Sequence, residues 1–386
     1  MEIPRPVIPV AAPEVSPICP SPAGLKTIEV HTVNELQQTI DLMKSNMEIR
    51  IAAGDYMLSR TLHVPENLSN IVIRGATGNR DDVRLIGKGM YDKDVASGIW
   101  MSHVKQVLLA DLTVQKVYYH AVTLNEDSDN VTICNVHLGD AGDQILKSNP
   151  SKKRGNRNGI VEHSLFDFTT TASDNYTRGI DVIRGSNWLI RDNIFRNIRA
   201  PEGAGVVGPT ILMWKSTTNS IVERNQFYNC QTGIGFGLQE RRPDDHTGGI
   251  IRNNFFYRKK SESGDVGITV ADSPGTTVLN NTIILNGTFV RAIEYRFAGT
   301  KNVEIANNLT DAPIVSRDRG SATLISNVTN AMPDWFLNEG DVHLSRLAEE
   351  AIGRGKPDVH LQDDVDAEPR PQNSGVDIGA DQSGQR

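Results

Sequence analysis

Six cationic side chains are strung through the middle of this sequence: Lys147, Arg178, Arg184, Lys215, Arg291 and Arg296. Each lies in or beside a short run in which apolar residues alternate with others. The acids of the same strip are Asp181 and Glu294. Six positive charges against two negative leave a surplus of +4, in a chain whose 40 Lys and Arg against 47 Asp and Glu give a net charge of −7. A local inversion of sign draws an anionic polymer to a protein that is acidic overall. The same residues can also move protons. Lysine becomes a base when neighbouring cations lower its pKa, and Tyr176 can exchange a proton with a departing oxygen. His120 flanks the strip, and Trp214 offers a ring on which a sugar could stack. Asp181 and Glu294 could in principle form a glycosidase pair.

Such a strip needs a scaffold that holds distant residues in line, and the sequence supplies a repeat. Asn187-Trp-Leu-Ile-Arg-Asp-Asn193-Ile-Phe aligns with Asn219-Ser-Ile-Val-Glu-Arg-Asn225-Gln-Phe, and further copies carry Asn254, Asn281 and Asn308. The intervals are 225−193 = 32, 254−225 = 29, 281−254 = 27 and 308−281 = 27 residues. Weaker copies start at Asn70, Lys105, Asn130 and Asn158. Each copy is followed by a second short strand, as in Gly179-Ile-Asp-Val-Ile and Thr210-Ile-Leu-Met-Trp. A unit this short cannot bury its own apolar face, so copies must stack into a solenoid. Equivalent residues then lie above one another at ~4.8 Å. The 30 Asn of the chain become a ladder of side-chain amides at turns that need left-handed backbone. The expected fold is all-β, a right-handed parallel β-helix of nine or ten rungs with an N-terminal capping helix. That helix is announced by the capping box Thr32-Val-Asn-Glu35 and by Leu36, Ile40 and Met43 at helical spacing.

The opening helix, the Ile51-Ala-Ala-Gly-Asp-Tyr56 stretch and the repeated Asn-x-x-Ile-x-x-Asn-x-Phe resemble the pectate-lyase-like superfamily of right-handed β-helix proteins, from about residue 27 to 330. Gly375-Val-Asp-Ile-Gly-Ala-Asp381 is similar to the C-terminal tail of many secreted bacterial members. The resemblance implies a secreted, extracellular or periplasmic enzyme that cleaves an acidic, uronate-containing polysaccharide by β-elimination. The superfamily also holds hydrolases, epimerases and non-catalytic glycan-binding proteins, and fold alone does not choose among them. Asp140-Ala-Gly-Asp-Gln-Ile-Leu-Lys147, followed a rung later by Ile-Asp-Val-Ile-Arg184, resembles the alginate-lyase and chondroitinase-B group. That likeness implies Lys147 as base, Arg184 as acid or carboxylate partner, and Asp140 with Asp143 as candidate Ca²⁺ ligands. Tyr176 with Lys215 resembles instead the lyases that pair a Tyr and a Lys without metal, and both sets stand open. Substrate contacts are expected from His120, Arg178, Asp181, Trp214, Glu294 and Arg296. Asp181 and Glu294 sit four rungs apart, ~19 Å at the strand spacing, which is too far for a glycosidase pair.

The remaining features are scaffold. Loops inserted at 148–157, 169–178, 200–209 and 239–247 wall the middle rungs, where solenoids bind their ligands. Three cysteines without a CxxC make neither a disulfide framework nor a zinc site. Cys134 and Cys230 are expected as buried fillers, too many rungs apart to bridge. His120, His137 and His163 have the spacing of neither a zinc pair nor a triad. Seven of the 18 prolines fall within residues 1–24, so residues 1–26 read as an extended linker, such as would follow a secretory signal, although no signal is visible. Residues 27–330 are expected to form the β-helix, and 331–386 a cap over its last rung, with 363–368 as a solvated acidic run. The acidic balance argues against nucleic acid, no apolar run is long enough to span a membrane, and a monomer is expected.

Overall fold

The computed structural model describes residues 18–358 and 360–383; five of the seven early prolines lie outside them. Three parallel sheets run side by side along a solenoid. The first has 12 strands, from Lys26–Val30 to Ala322–Ile325, and the second and third have ten each. The second runs from Gly54–Met57 to Leu309–Thr310, the third from Leu62–His63 to Ile314–Arg317. The expected rung number is therefore met. Each rung visits the first sheet, then the second, then the third, and every strand pairs with its equivalent one rung away.

Inward residues stack on their own kind. Phe166, Phe195, Phe227 and Phe256 form one file with successive ring centroids 4.9, 4.9 and 5.8 Å apart, offset stacking that adds to their burial. Helix α1 (Val33–Asp41) covers the open end, with Leu36, Ile40 and Met43 buried. The Thr32 hydroxyl accepts from the Glu35 N–H at 3.2 Å, while the Glu35 carboxylate reaches past the cap to the His31 N–H at 2.7 Å. Ordered structure starts ahead of this cap, because Lys26–Val30 already pairs with Met47–Ile51.

The asparagine ladder differs from expectation in one respect. Asn193, Asn225, Asn254, Asn281 and Asn308 do bond in series, each amide to the next carbonyl oxygen at 2.9–3.0 Å, ending on Asn327. These residues are not the left-handed ones. The residue before each takes that conformation instead: Asp192, Arg224, Asn253, Asn280 and Asn307, with φ between 48° and 56°. The ladder side chain points inward and closes the turn that its predecessor bends.

Two further expectations are corrected. Cys134 is not a filler: it is disulfide-bonded to Cys19, which straps the segment before the first strand onto the outer face of the first sheet. Arg74 reinforces the strap through the Cys19 carbonyl and an ion pair with buried Asp111. Only Cys230 is buried and free, its thiol pushed up to about 11 by burial. The C-terminal segment starts on the last rung, where Val328 pairs with Leu309 and the Ala331 N–H donates to the Thr310 carbonyl. It then folds back along the outside of the solenoid, and the expected solvated run at 363–368 is corrected, since Asp363 pairs with Arg224 at 2.6 Å and Asp364 is fully buried.

The disulfide closes a sequence separation of 115 residues. A loop this long constrains the unfolded chain strongly, typically by ~2–4 kcal/mol. Dithiothreitol is expected to lower the urea midpoint of the wild type and leave Cys19→Ser unmoved. Cys230→Ser should respond to reductant as the wild type does. Equal midpoints with and without reductant in the wild type would remove the strap from the stability account.

Candidate active site

The third sheet carries the strip. Its strand register places Lys147 beside Asp181, and continues through Leu212, Gly235 and Thr269 to Glu294. In the other direction the same outward file runs through Thr123 and Trp100 to His63. Inserted loops border both edges of this sheet. Those at 169–178 and 200–209 enter it from the second sheet, while 148–157 and 239–247 leave it for the first.

Asp181 is the hub. It is fully buried and accepts from Lys147 Nζ at 3.0 Å, Arg178 Nη1 at 3.2 Å and the Trp214 indole N–H at 3.0 Å. Lys147 and Arg178 are nearly as buried, at 6% and 7% exposure. Lys147 and Arg178 share this one buried carboxylate, and partly buried Asp143 brings a second acid within reach of both. Burial lowers the Lys147 pKa, and the Arg178 and Lys215 charges push the same way against Asp181.

Tyr176 and Lys215 stand above this layer and complete a continuous chain of contacts. The Arg178 guanidinium lies 5.3 Å from the Tyr176 ring centre, and the Lys215 ammonium 4.2 Å above the Trp214 ring. Tyr176 is half exposed. Among the described residues, no carboxylate lies within ion-pairing distance of Lys215. Its left-handed backbone (φ 54°) is fixed by an N–H bond to buried Asp245 at 2.7 Å. Asp245 also accepts from the Leu238 and Gln239 N–H groups, so one carboxylate anchors both Lys215 and the neighbouring loop. Gly208 presses on the other side. A Cβ there would lie 2.5 Å from Arg178 Nη2, so a larger residue at this position would displace the guanidinium.

Of the remaining expected residues, His120 and Asp143 lie within electrostatic reach of the hub and the others stand apart from it. Arg184 ends the strand that carries Asp181 with φ 57°, and its guanidinium faces the carbonyls of Ser151, Lys152 and Lys153, away from the hub. Asp140 is buried and spent on the loop above it, accepting from the Thr169 N–H and hydroxyl at 2.9 and 2.6 Å. Asp143 is pushed up to about 6 by burial and by the Asp174 charge. Among the described residues no third metal-ligating group gathers with these two. The pair therefore does not fit a Ca²⁺ ion, which takes 6–8 oxygen ligands. His120 donates from Nδ1 to the Gln144 carbonyl at 2.7 Å, and burial lowers its pKa to about 4. Glu294 and Arg296 form a separate cluster four rungs from Asp181, as the sequence spacing predicts.

Two residues of the groove are not among the sequence expectations. Trp100 and His63, in the file two and three rungs below Lys147, have ring centres 5.2 Å apart. Their outward positions follow from the inward Ile99 and Met101, but the repeat is too degenerate there to fix the register.

Buried neutral histidines make acid destabilising. Fully buried His246, stacked on Phe236, has its pKa lowered to about 3. With unfolded values near 6.5, His120 and His246 contribute stability that is present above that pH and lost as the pH falls through their folded values. Asp143, raised from 3.8 to about 6, works oppositely and favours the fold below about pH 4. The urea midpoint is expected to fall between pH 6.5 and 4, more gently in His246→Gln and more steeply in Asp143→Asn. An unchanged slope in His246→Gln would remove that residue from the acid response.

Residues 97–327, more than half of the chain, match the family described as right handed beta helix region. The chain is similar in fold to an alginate lyase from Paenibacillus sp. str. FPU-7, with 16% identity, TM-score 0.55, and 79% of this chain and 99% of that one covered. It is also similar to the catalytic unit of a GH87 α-1,3-glucanase from Streptomyces thermodiastaticus strain HF3-3, with 13% identity, TM-score 0.54, and 82% and 66% covered. The pectate lyase Pel9A superposes with 13% identity, TM-score 0.50, and 94% and 98% covered. At such identities the likeness is one of fold. No curated protein matches in sequence, and no described helix is long and apolar enough to cross a membrane.

Proposed function

We propose that this chain, which belongs to the right-handed β-helix family, is a polysaccharide lyase that cleaves an acidic, uronate-containing glycan in the groove of its third sheet. The observation that carries the reading is the chain of contacts from Tyr176 through Arg178, Asp181 and Trp214 to Lys215. It puts a phenol and a lysine side chain at the surface, over a buried layer in which Lys147 and Arg178 share the Asp181 carboxylate. β-Elimination needs that combination. Arg178 and Lys147 supply the positive potential that stabilises charge developing on the sugar carboxylate. Lys215, acting as the neutral amine, takes the proton from the carbon next to the carboxylate. The electron pair forms the new C=C bond as the glycosidic C–O bond breaks, and Tyr176 protonates the departing oxygen. Lys147, with its ammonium held by Asp181 under the surface, sets the field and does not itself reach the substrate. The fold shared with an alginate lyase and a pectate lyase agrees with this reading. The Cys19–Cys134 bridge agrees with an oxidising, extracellular or periplasmic location.

One observation favours a second reading. Asp143, held partly protonated near neutrality, has the character of a glycosidase general acid. Scanning alginate, pectate, glucuronan and glycosaminoglycans for new ultraviolet absorbance of the unsaturated uronate separates the two. Absorbance that grows with cleavage is expected. New reducing ends without absorbance would replace the lyase by a hydrolase.

A further inference from the structure

The construction around Asp181 occurs twice. Tyr176-Thr-Arg178-Gly-Ile-Asp181 places an aromatic ring, an arginine two residues on and an acid three residues further. Phe289-Val-Arg291-Ala-Ile-Glu294 repeats that spacing, four rungs along the same outward file. The contacts repeat as well. Arg291 lies 4.8 Å from the Phe289 ring centre, as Arg178 lies 5.3 Å from that of Tyr176. Arg291 Nε donates to Glu294 Oε2 at 2.8 Å, as Arg178 donates to Asp181.

Two differences give the second cluster another task. Phe289 has no hydroxyl to exchange a proton. The second cluster is also richer in charge and more open: Arg317 adds a 2.8 Å bond to the same Glu294 oxygen, and Arg296 lies 3.8 Å from the other. Glu294 is 4% exposed, whereas the side chains of Arg291, Arg296 and Arg317 are 23%, 25% and 34% exposed. Counting Asp318, which pairs with Arg296, and Asp265, whose charge reaches Arg317, three cations meet three anions here. Glu294 holds the guanidinium groups in place from below, and their outward N–H donors are set for another planar anion.

We propose that Phe289, Arg291, Glu294, Arg296 and Arg317 form a second, non-catalytic subsite that binds a uronate carboxylate of the same polysaccharide chain. It lies ~19 Å from the Asp181 cluster, four intervals of the strand spacing. The inference rests on the proposed reading of the groove as the site of an acidic glycan. Its consequence is a dependence on length: a chain that spans both clusters is held at two carboxylates, and a shorter one at only one.

Two variants test this: Arg291→Ala/Arg317→Ala, and Arg291→Gln/Glu294→Gln, which removes one charge of each sign and leaves no buried acid unpaired. Each is compared with the wild type in two ways. The first is retardation in native gels containing alginate, polygalacturonate or, as a neutral control, dextran. The second is kinetics on whichever uronate polymer the wild type cleaves and on its trimer. Retardation by an acidic polymer is expected to fall and KM for it to rise by roughly tenfold or more, the loss of a charge-assisted contact. Polymer kcat, trimer kinetics and dextran mobility should not change. Unchanged retardation and KM in both correctly folded variants would overturn the subsite, as would an equal loss on the trimer. If the wild type cleaves nothing but the variants still lose retardation, the lyase reading fails and the anionic subsite stands.

Discussion

Asp181→Asn is expected to destabilise the fold by about 3–5 kcal/mol, the usual cost of leaving a buried ion pair without one partner. Lys147 and Arg178 both rely on this carboxylate, and both are nearly inaccessible to water. The amide can still bond the Trp214 indole but cannot offset two positive charges. Lys147 is the one that can respond, by releasing its proton. Its folded pKa is already lowered from the ordinary 10.5 and would fall further in the variant. A lowered folded pKa gives stability that is present above the unfolded value and lost as the pH falls through the folded one. The deficit of Asp181→Asn should therefore shrink as the pH is raised toward 10. Urea titrations at neutral and alkaline pH read both effects. A neutral-pH loss below about 1 kcal/mol, the scale of an exposed pair, would mean that Asp181 is not the hub of this layer.

The second large effect concerns rate. Tyr176→Phe and Lys215→Ala should each lower kcat by about 10²–10⁴, the range for removing a positioned acid or base. Both groups lie above the buried layer, so the urea midpoint should barely move. Combined in one chain, the two changes should cost much less than the product of the separate losses, as for groups that act in one step. Lys147→Ala should behave in the opposite way, with a marked loss of stability because Asp181 loses a counter-charge. Arg184→Ala should do little to kcat, since that guanidinium faces the carbonyls of the 151–153 loop. If Arg184→Ala is inactive and Tyr176→Phe is not, the proton transfers belong to another set of groups.

How much of this the sequence reveals depends on where the repeat is clean. Asn193 through Asn308 share flanking apolar residues, so the solenoid, its rung number and the four-rung interval from Asp181 to Glu294 can be read directly. Register is lost where insertions interrupt it. Between Lys147 and Asp181 lie two loops, and a pairing of Lys147 with Arg184 looks as plausible from spacing as the observed one with Asp181. Three residues of strand separate the two alternatives, and the left-handed turn at Arg184 sends its side chain off the sheet. Cys19 and Cys134 are illegible for a different reason. Cys134 reads as an ordinary strand residue, and its partner belongs to a segment with no repeat that could place it. The ladder shows a subtler limit: composition marks the turn, but not which of two adjacent residues takes the left-handed backbone and which points inward.

The returning C-terminal segment gives the repeat count a metric meaning. It bonds to Arg224 through Asp363, to Asn253 through the Asp363 carbonyl, to Asn280 through the carbonyls of Asp377 and Gly379, and to Asn307 through that of Lys356. These four turns follow, in order, the strands that hold Trp214, Phe236, Val270 and Glu294. A stack bound only by nearest neighbours can stretch or peel one layer at a time. Here a single length of chain is fastened at every step of the interval from the Trp214 rung to the Glu294 rung, along the back of the groove. It works as a backing strip on a ruler: the graduations are rungs, and the distance from Trp214 to the Arg291–Glu294 cluster is kept from drifting by a segment that touches neither.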